Sequence, residues 1–256
     1  MIRSWLQHPL TREIDVDNPQ TTALRRRIIH EKRFLYRIYL EWYQSIVQEL
    51  PPGTDPVLEL GSGAGFLEMF IPGLITSEVL RASNVRVVLD ARALPFSECS
   101  LRAIVMTDVL HHIPDVHSFF VEAARCVQPG GKIIMVEPWH TRWSRLIYQS
   151  LHHEPFLPEQ QGWELPFGGP LSAANGALPW IIFCRDRAIF ESKYPEWHIK
   201  PIRVWMPLRY LLSGGVSMRV GMPGWTFELS KQIEDRIYPP RKWGMFAGIV
   251  LLRSQE

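Results

Sequence analysis

Apolar residues recur at Leu24, Ile28, Leu35, Ile38, Trp42, Ile46 and Leu50, the spacing of one face of a helix. Asn18-Pro19 supplies an N-cap and a first helical position, and Pro51-Pro52-Gly53 stops the segment. The period then changes. Val57–Leu60, Val85–Leu89, Ala103–Thr107 and Val127–Glu137 are short apolar runs of the kind that buried parallel strands show. Asp115 caps a helix with Val116, Phe119, Phe120, Ala123 and Val127 on its apolar side. Pro138 to Gly176 is rich in Trp, His and Pro and too long for an ordinary connection. Helices are predicted over Trp143–His152, Arg185–Tyr194 and Thr226–Tyr238, the last with Phe227, Ile233 and Ile237 inward. Strands are predicted over His198–Trp205 and Met245–Leu252.

The strand Val57–Leu60 carries Glu59 and runs into Gly61-Ser62-Gly63-Ala64-Gly65. Glycines suit a turn where backbone approaches a ligand closely. Phe66, Leu67, Met69 and Phe70 then suit the start of a helix. A strand, a glycine-rich turn and a helix N-terminus make a cradle for an anionic group. A nicotinamide dehydrogenase would want G-x-G-x-x-G, but position 66 is Phe66, and the spacing is Gly61-x-Gly63-x-Gly65. Three further motifs follow: Asp90-Ala91-x-x-Leu94-Pro95-Phe96, then Val109-Leu110-His111-His112-Ile113, then Pro129-Gly130-Gly131 leading to Glu137-Pro138.

This order resembles the class I S-adenosylmethionine-dependent methyltransferases, and within them the methyltransferase domain called type 11, over roughly residues 50 to 140. The resemblance implies an α/β, Rossmann-like fold with a mostly parallel seven-stranded sheet, an antiparallel last strand and an added aromatic-rich lid. It implies S-adenosylmethionine as cofactor and S-adenosylhomocysteine as product. Backbone around Gly61, Ser62, Gly63 and Gly65 would meet the methionine carboxylate. Glu59 would organise the methionine end. Asp90 would take the adenine amino group, with Ala91 and Leu94 against the ring, and Thr107 and Asp108 would lie beside the methionyl part. One departure stands out. The ribose acid belongs at the end of strand two, where Glu78 follows Ser77, and Asp90 comes too soon after it for a crossover helix. The helix is therefore expected to shrink to a turn around Arg81–Ser83, and the ribose partner is Ser77 or Glu78.

Composition narrows the class. The chain has 256 residues, 46% apolar and 21% charged, enough for a full core. A net charge of +2 gives no argument for a nucleic-acid partner. Cys99, Cys126 and Cys184 make neither a metal spacing nor a disulfide framework. The first residues lack the apolar core of a signal peptide, and no apolar run nears the ~18 residues of a spanning helix. A cytoplasmic protein is expected. Its parts are a helical segment (1–52), the cofactor-binding core (53–137), and the lid with C-terminal strands of the same domain (138–256).

Methyl transfer asks the protein to align a nucleophile and exclude water. A hydroxyl acceptor also wants a base, for which His112 and His153 are the candidates, ahead of His111, His140 and His152. No metal is expected, although Asp108, Glu137 and Glu154 could converge. The expected acceptor is a small molecule or a lipid- or glycan-like compound, methylated at oxygen before carbon or nitrogen. Alternatives are a non-catalytic cofactor-binding subunit and a nicotinamide dehydrogenase. Eight of the ten tryptophans lie from Trp139 onward, where they either stack on an acceptor or fill the core of the added segment. Arg25-Arg26-Arg27 and the Trp205–Leu212 segment raise a peripheral membrane contact.

Overall fold

The computed structural model describes residues 8, 17–82, 85–152, 154–165, 168–169, 172–219, 221–237 and 239–255. His153, Ser83, Tyr238 and the Ile237 side chain, on which expectations were placed above, lie outside what is described. Five parallel strands form most of a sheet: β1 (Val57–Leu60), β2 (Ile75–Glu78), β3 (Val87–Val88), β4 (Leu101–Thr107) and β5 (Val127–Pro138). β6 (Trp197–Ile199) and β7 (Arg203–Trp205) both pair antiparallel to β8 (Phe246–Arg253). β8 is in turn antiparallel to β5, which gives the order β3-β2-β1-β4-β5-β8-β6 with β7 beside β8. Eight strands replace the expected seven because His198–Trp205 is not continuous. Pro201, which has no N–H to donate, stands between its two halves.

Alternation along the strands sorts the core into two layers. Leu58, Leu60, Ile104, Met106, Ile133 and Met135 share one cluster with Phe119, Phe120 and Ala123 of a helix over Val116–Cys126. Val57, Ala103, Val105, Ile134 and Val136 face the other way, toward the N-terminal helices. Covered on both sides, β1 is buried at every position, as its unbroken apolar run predicts.

In place of one N-terminal helix there are two, α1 (Pro19–Glu31) and α2 (Arg33–Glu49). Asn18 caps α1 as predicted, its side chain accepting from the Gln20 N–H at 2.9 Å. The break falls at Lys32 (φ −86°, ψ 87°). Its ammonium donates to the carbonyls of Gly215 at 2.8 Å and Met218 at 3.3 Å, and burial lowers its pKa to about 8. Nothing in the local spacing signals that long-range tie. The longer helices that follow are α3 (Val116–Cys126), α4 (Arg142–Leu151), α5 (Arg187–Lys193), α6 (Arg209–Ser213) and α7 (Phe227–Ile237), with short helical turns over Leu178–Trp180, Ile181–Arg185 and Pro240–Trp243. The helix expected after the glycine loop is a single 3-10 turn, Leu67–Met69. Pro72-Gly73 and the start of β2 at Ile75 leave it no length. The crossover between β2 and β3 likewise holds no helix among the described residues.

Several surface expectations reverse. Ile233 is exposed, whereas Ser230 and Glu234 are buried on its helix beside Phe227, which points inward as predicted. Trp205, Met206 and Arg209 are buried, so the 205–212 segment is not a membrane-facing patch. Arg26 pairs with Glu68 and Arg27 with Glu31, so the arginine run is not a free basic face. No helix among the described residues is long and apolar enough to cross a membrane.

Arg209 holds the added segment to the N-terminal helices. Only 2% exposed, it bonds Glu41 of α2 through both terminal nitrogens and Glu234 of α7 through its Nε. Replacing Arg209 by Leu strands the Glu234 carboxylate, itself 3% exposed, without a counter-charge. Urea unfolding at neutral pH should show a loss of about 3–5 kcal/mol. A loss below about 1 kcal/mol, the worth of a surface pair, would mean that the triad does not anchor the segment.

Candidate active site

A cavity of about 220 Å³ opens at the carboxyl ends of β1, β2 and β4, where ligands bind in open α/β sheets. Its inner wall is the glycine loop. Gly61 has φ +64°, and a Cβ there would stand 2.4 Å from the Val109 Cγ2. A Cβ on Gly63 would lie 2.8 Å from the Glu78 Oε2, and one on Gly65 would lie 2.5 Å from the Tyr43 hydroxyl. The three glycines are thus set by close approach, and turning alone does not account for them. Tyr43 accepts the Phe66 N–H at 3.1 Å, so α2 holds the loop's far end where the predicted helix is missing.

Glu59 lines the cavity at 3% exposure, and its Oε2 has no hydrogen-bond partner. Burial pushes its pKa up to about 8, against a hydrogen bond from Ser62. The Thr107 hydroxyl lines the same cavity, also buried and without a partner. Ser77 donates its hydroxyl to the Glu59 carbonyl at 2.7 Å, which leaves Glu78 as the acid presented at the end of β2. Glu78 is 7% exposed and its pKa is raised by burial, opposed by the N–H groups of Val79 and Gly63.

Asp90 and Ala91 stand at the rim. Asp90 is held by Arg92 at 2.6 Å, a pair that keeps its carboxyl below the usual range. Leu94 is a correction. It does not line the cavity but is buried in the core, where its N–H donates to Glu122 at 2.7 Å. Arg25, which the sequence marked only as part of a basic run, lines the cavity from α1. The aromatic lining is Tyr39, Tyr43 and Tyr210. None of the eight tryptophans from Trp139 onward lines it; Trp139, Trp197 and Trp205 are buried core residues.

The floor lies beyond β4. Asp108 adopts φ +64°, uncommon for a residue with a side chain, and burial raises its pKa to about 7. The next turn carries His111 and His112. Glu137, fully buried at the end of β5, accepts the N–H groups of Val109 at 2.8 Å and Leu110 at 2.7 Å through Oε1. Its Oε2 lies 2.8 Å from the His111 Nδ1. Burial draws the His111 pKa down, but Glu137 and Glu154 outweigh it and hold it well above the ordinary value. His112 lines the cavity with its Nδ1 3.2 Å from the Ala173 carbonyl. Burial, then His111, pushes its pKa down to about 4. Asp108, Glu137 and Glu154 do not gather as one cluster: His111 joins two groups, one with Asp108 and Glu137 and one with His112 and Glu154. Glu154 was named from the sequence only as a carboxylate that could join Asp108 and Glu137; its local signal was its place beside the His152-His153 pair.

Residues 72–135 match the family model of the type 11 methyltransferase domain. A 2-methyl-6-phytyl-1,4-hydroquinone methyltransferase of Synechocystis sp. is 30% identical over 126 residues, 42% of this chain and 39% of that protein. The chain therefore matches about two fifths of the length of that curated relative. Among solved structures, a complex of the Haloferax volcanii Trm112 methyltransferase activator with a putative methyltransferase aligns with TM-score 0.53. That likeness is at 13% identity and covers 94% of this chain and 98% of that one. Geranyl diphosphate C-methyltransferase from Streptomyces coelicolor A3(2) aligns with TM-score 0.51 at 13% identity, over 98% and 91%. At such identities these two structures establish the shared fold.

Sheet order, glycine loop and family match together define a class I methyltransferase fold. Within it, residues 72–135 are similar to the type 11 methyltransferase domain, whose likeness points to S-adenosylmethionine as cofactor. The cavity suits the cofactor on its own terms, since a buried carboxylate oxygen and a buried hydroxyl face it without partners.

Gly61→Ala combines a left-handed backbone with a methyl group 2.4 Å from Val109. Calorimetric melting should show about 1–3 kcal/mol of destabilisation. An unchanged melting temperature would mean that the loop relaxes freely.

Proposed function

We propose that the chain transfers the methyl group of S-adenosylmethionine to a hydroxyl of a small-molecule acceptor, including lipid- or glycan-like ones. The observation that carries this is the pair of partnerless buried oxygens, Glu59 Oε2 and Thr107 Oγ1, beside the Gly61–Gly65 loop. A buried carboxylate without a partner is costly unless a ligand completes it.

On this reading Glu59 takes the cofactor's ammonium, and Thr107 and Asp108 flank the methionyl chain. Arg25 supplies the positive charge for the carboxylate that a long helix N-terminus would otherwise provide, alongside the backbone of Gly61, Ser62, Gly63 and Gly65. Glu78 accepts the ribose hydroxyls, because the Ser77 hydroxyl is already engaged. Asp90, oriented by Arg92, accepts from the adenine amino group, and Ala91 packs on the ring.

When bound, S-adenosylmethionine supplies an electrophilic methyl group on its sulfonium. The chain's task is to place the acceptor oxygen behind that methyl and keep water out. The new bond joins oxygen to the methyl carbon, the carbon–sulfur pair stays on sulfur, and the hydroxyl proton leaves the acceptor. His112 is the side chain we set against the acceptor. Its Nδ1 faces a carbonyl, which can only accept, so the ring's proton sits there and Nε2, 3.8 Å from Glu154 Oε1, keeps a lone pair that can take the acceptor's proton. The Synechocystis relative's name makes hydroquinone-like phenols the first acceptors to screen.

Calorimetric titration with S-adenosylhomocysteine should give micromolar binding, with none for NAD, and the reverse result would overturn the cofactor assignment. The sign of the pH dependence follows from Glu59. Its pKa, about 8 in the folded chain against 4.5 for a free group, means that it holds a proton near neutrality. Its contribution to stability is present at low pH and is lost as pH rises through about 8. An arriving ammonium favours the carboxylate, so binding near neutrality should release a proton, and affinity should rise with pH up to about 8. Titrations in buffers of different ionisation enthalpy read the proton count. Glu59→Gln should abolish the release, and an unaltered release would assign it to another group. His112→Ala should cut turnover about 10²–10⁴-fold with S-adenosylhomocysteine affinity kept; equal loss in both would move His112 into the cofactor pocket.

A further inference from the structure

We propose that His111, His112 and Glu154 form a site for a divalent transition-metal ion at the acceptor end of the cavity. Its role there rests on the methyl-transfer reading; its existence does not.

The argument begins with where each ring nitrogen is committed. His111 Nδ1 lies 2.8 Å from Glu137 and His112 Nδ1 lies 3.2 Å from the Ala173 carbonyl. Both are acceptors, so both protons sit on Nδ1 in neutral rings and both Nε2 atoms present lone pairs. These lone pairs face one carboxylate. His111 Nε2 is 3.5 Å from Glu154 Oε2, and His112 Nε2 is 3.8 Å from Glu154 Oε1. Such a cluster calls for positive charge, which either a bound cation or a proton on His111 can supply. His111 is fully buried, and its Nε2 makes no hydrogen bond.

The distances suit an ion. Zinc-like metals hold nitrogen and oxygen at about 2.0–2.2 Å, which places tetrahedral donors ~3.4 Å apart. The three donor atoms here lie within 4.8 Å of one another, and the two measured separations need to close by only a few tenths of an ångström. Glu137 is no ligand, because Oε1 takes two backbone N–H groups and Oε2 holds His111. That arrangement, a carboxylate on the far nitrogen of a histidine, is the usual outer support of a metal-binding imidazole. His152 Nδ1 is near Glu154 Oε2, at 3.7 Å, but already accepts the Glu154 N–H at 3.4 Å.

The fold holds the donors from two sides. The turn after β4 brings both histidines, and the segment after α4 brings Glu154. Asn175 ties the two sides together: its N–H donates to the His111 carbonyl at 3.0 Å, and its Oδ1 accepts the Leu157 N–H at 2.9 Å. Two imidazoles and one carboxylate favour zinc, cobalt, manganese or iron(II) over magnesium or calcium. Three protein ligands leave a position open, and His112 borders the cavity, so that position is offered to an acceptor oxygen. An ion there would hold the hydroxyl and ease loss of its proton to water, in place of proton transfer to His112.

The rival is a His111 imidazolium bridging Glu137 and Glu154 with no metal. The test uses the full chain, stripped with chelator and titrated with Co²⁺ alone, following visible ligand-field absorption, and with Zn²⁺ by calorimetry. One equivalent should bind. Glu154→Gln and His112→Ala should abolish the cobalt signal, and Glu137→Gln should weaken Zn²⁺ about 10–100-fold. Absent uptake by the unmodified chain, or uptake that Glu154→Gln leaves unchanged, would overturn the site. Circular dichroism of each variant separates lost ligands from lost fold, and the unmodified chain decides the matter even if a variant misfolds. S-adenosylhomocysteine titrated into the stripped chain keeps the two hypotheses apart. Its binding without metal uptake removes only the metal site, and metal uptake without its binding removes only the cofactor reading.

Discussion

The carboxylate of Glu137 accepts the Val109 and Leu110 N–H groups and holds the His111 ring, all from a fully buried position at the end of β5. Two adjacent parallel strands are thereby joined beyond their last ladder bond. The turn after β4 has no other way to satisfy those N–H groups away from water. Held in this way, it keeps Asp108 in its left-handed conformation, sets Val109 against Gly61, and fixes the two histidines. The glycine loop and the histidine pair, far apart in sequence, depend on the same carboxylate.

The second constraint is the way the added segment is held down. Arg209 reaches Glu41 and Glu234, and Lys32 reaches the carbonyls of Gly215 and Met218. Both ties end on the N-terminal helices, and both put cations in places where burial is costly. Tyr210 follows Arg209 directly and lines the cavity, so the same anchoring that closes the segment also positions part of the site wall. Tyr39 and Tyr43 of α2 complete that wall from the other side.

Much of this was legible in the sequence. Val57–Leu60, the glycine loop, the Asp115 cap and the final apolar strand are local patterns, and each formed where the pattern placed it. The misreadings share a cause. Leu94 follows a motif, but its backbone is claimed by Glu122. Phe66 and Leu67 look helical until Pro72-Gly73 is counted against the distance to β2. The later tryptophans left stacking and core both open, and none lines the cavity, Trp139, Trp197 and Trp205 being core and Trp225 exposed. Arg25 and Glu154 gave almost no local signal, because their importance comes from partners brought in by the fold. Local physics specified the frame, and long-range contacts selected which polar groups face the cavity.

The placement of β8 has a consequence for how the molecule is made. Pro138 pairs with Phe246, and Lys132 with Leu252, so one edge of β5 waits for β8, more than a hundred residues later in the chain. While a ribosome is still extending the chain, β5 is an open apolar edge, the kind that recruits other chains. Such late, non-local pairing slows folding. Nascent chains of this protein would thus pass through a stage in which the cofactor half is formed but its flank is unguarded, a natural stage for chaperone capture.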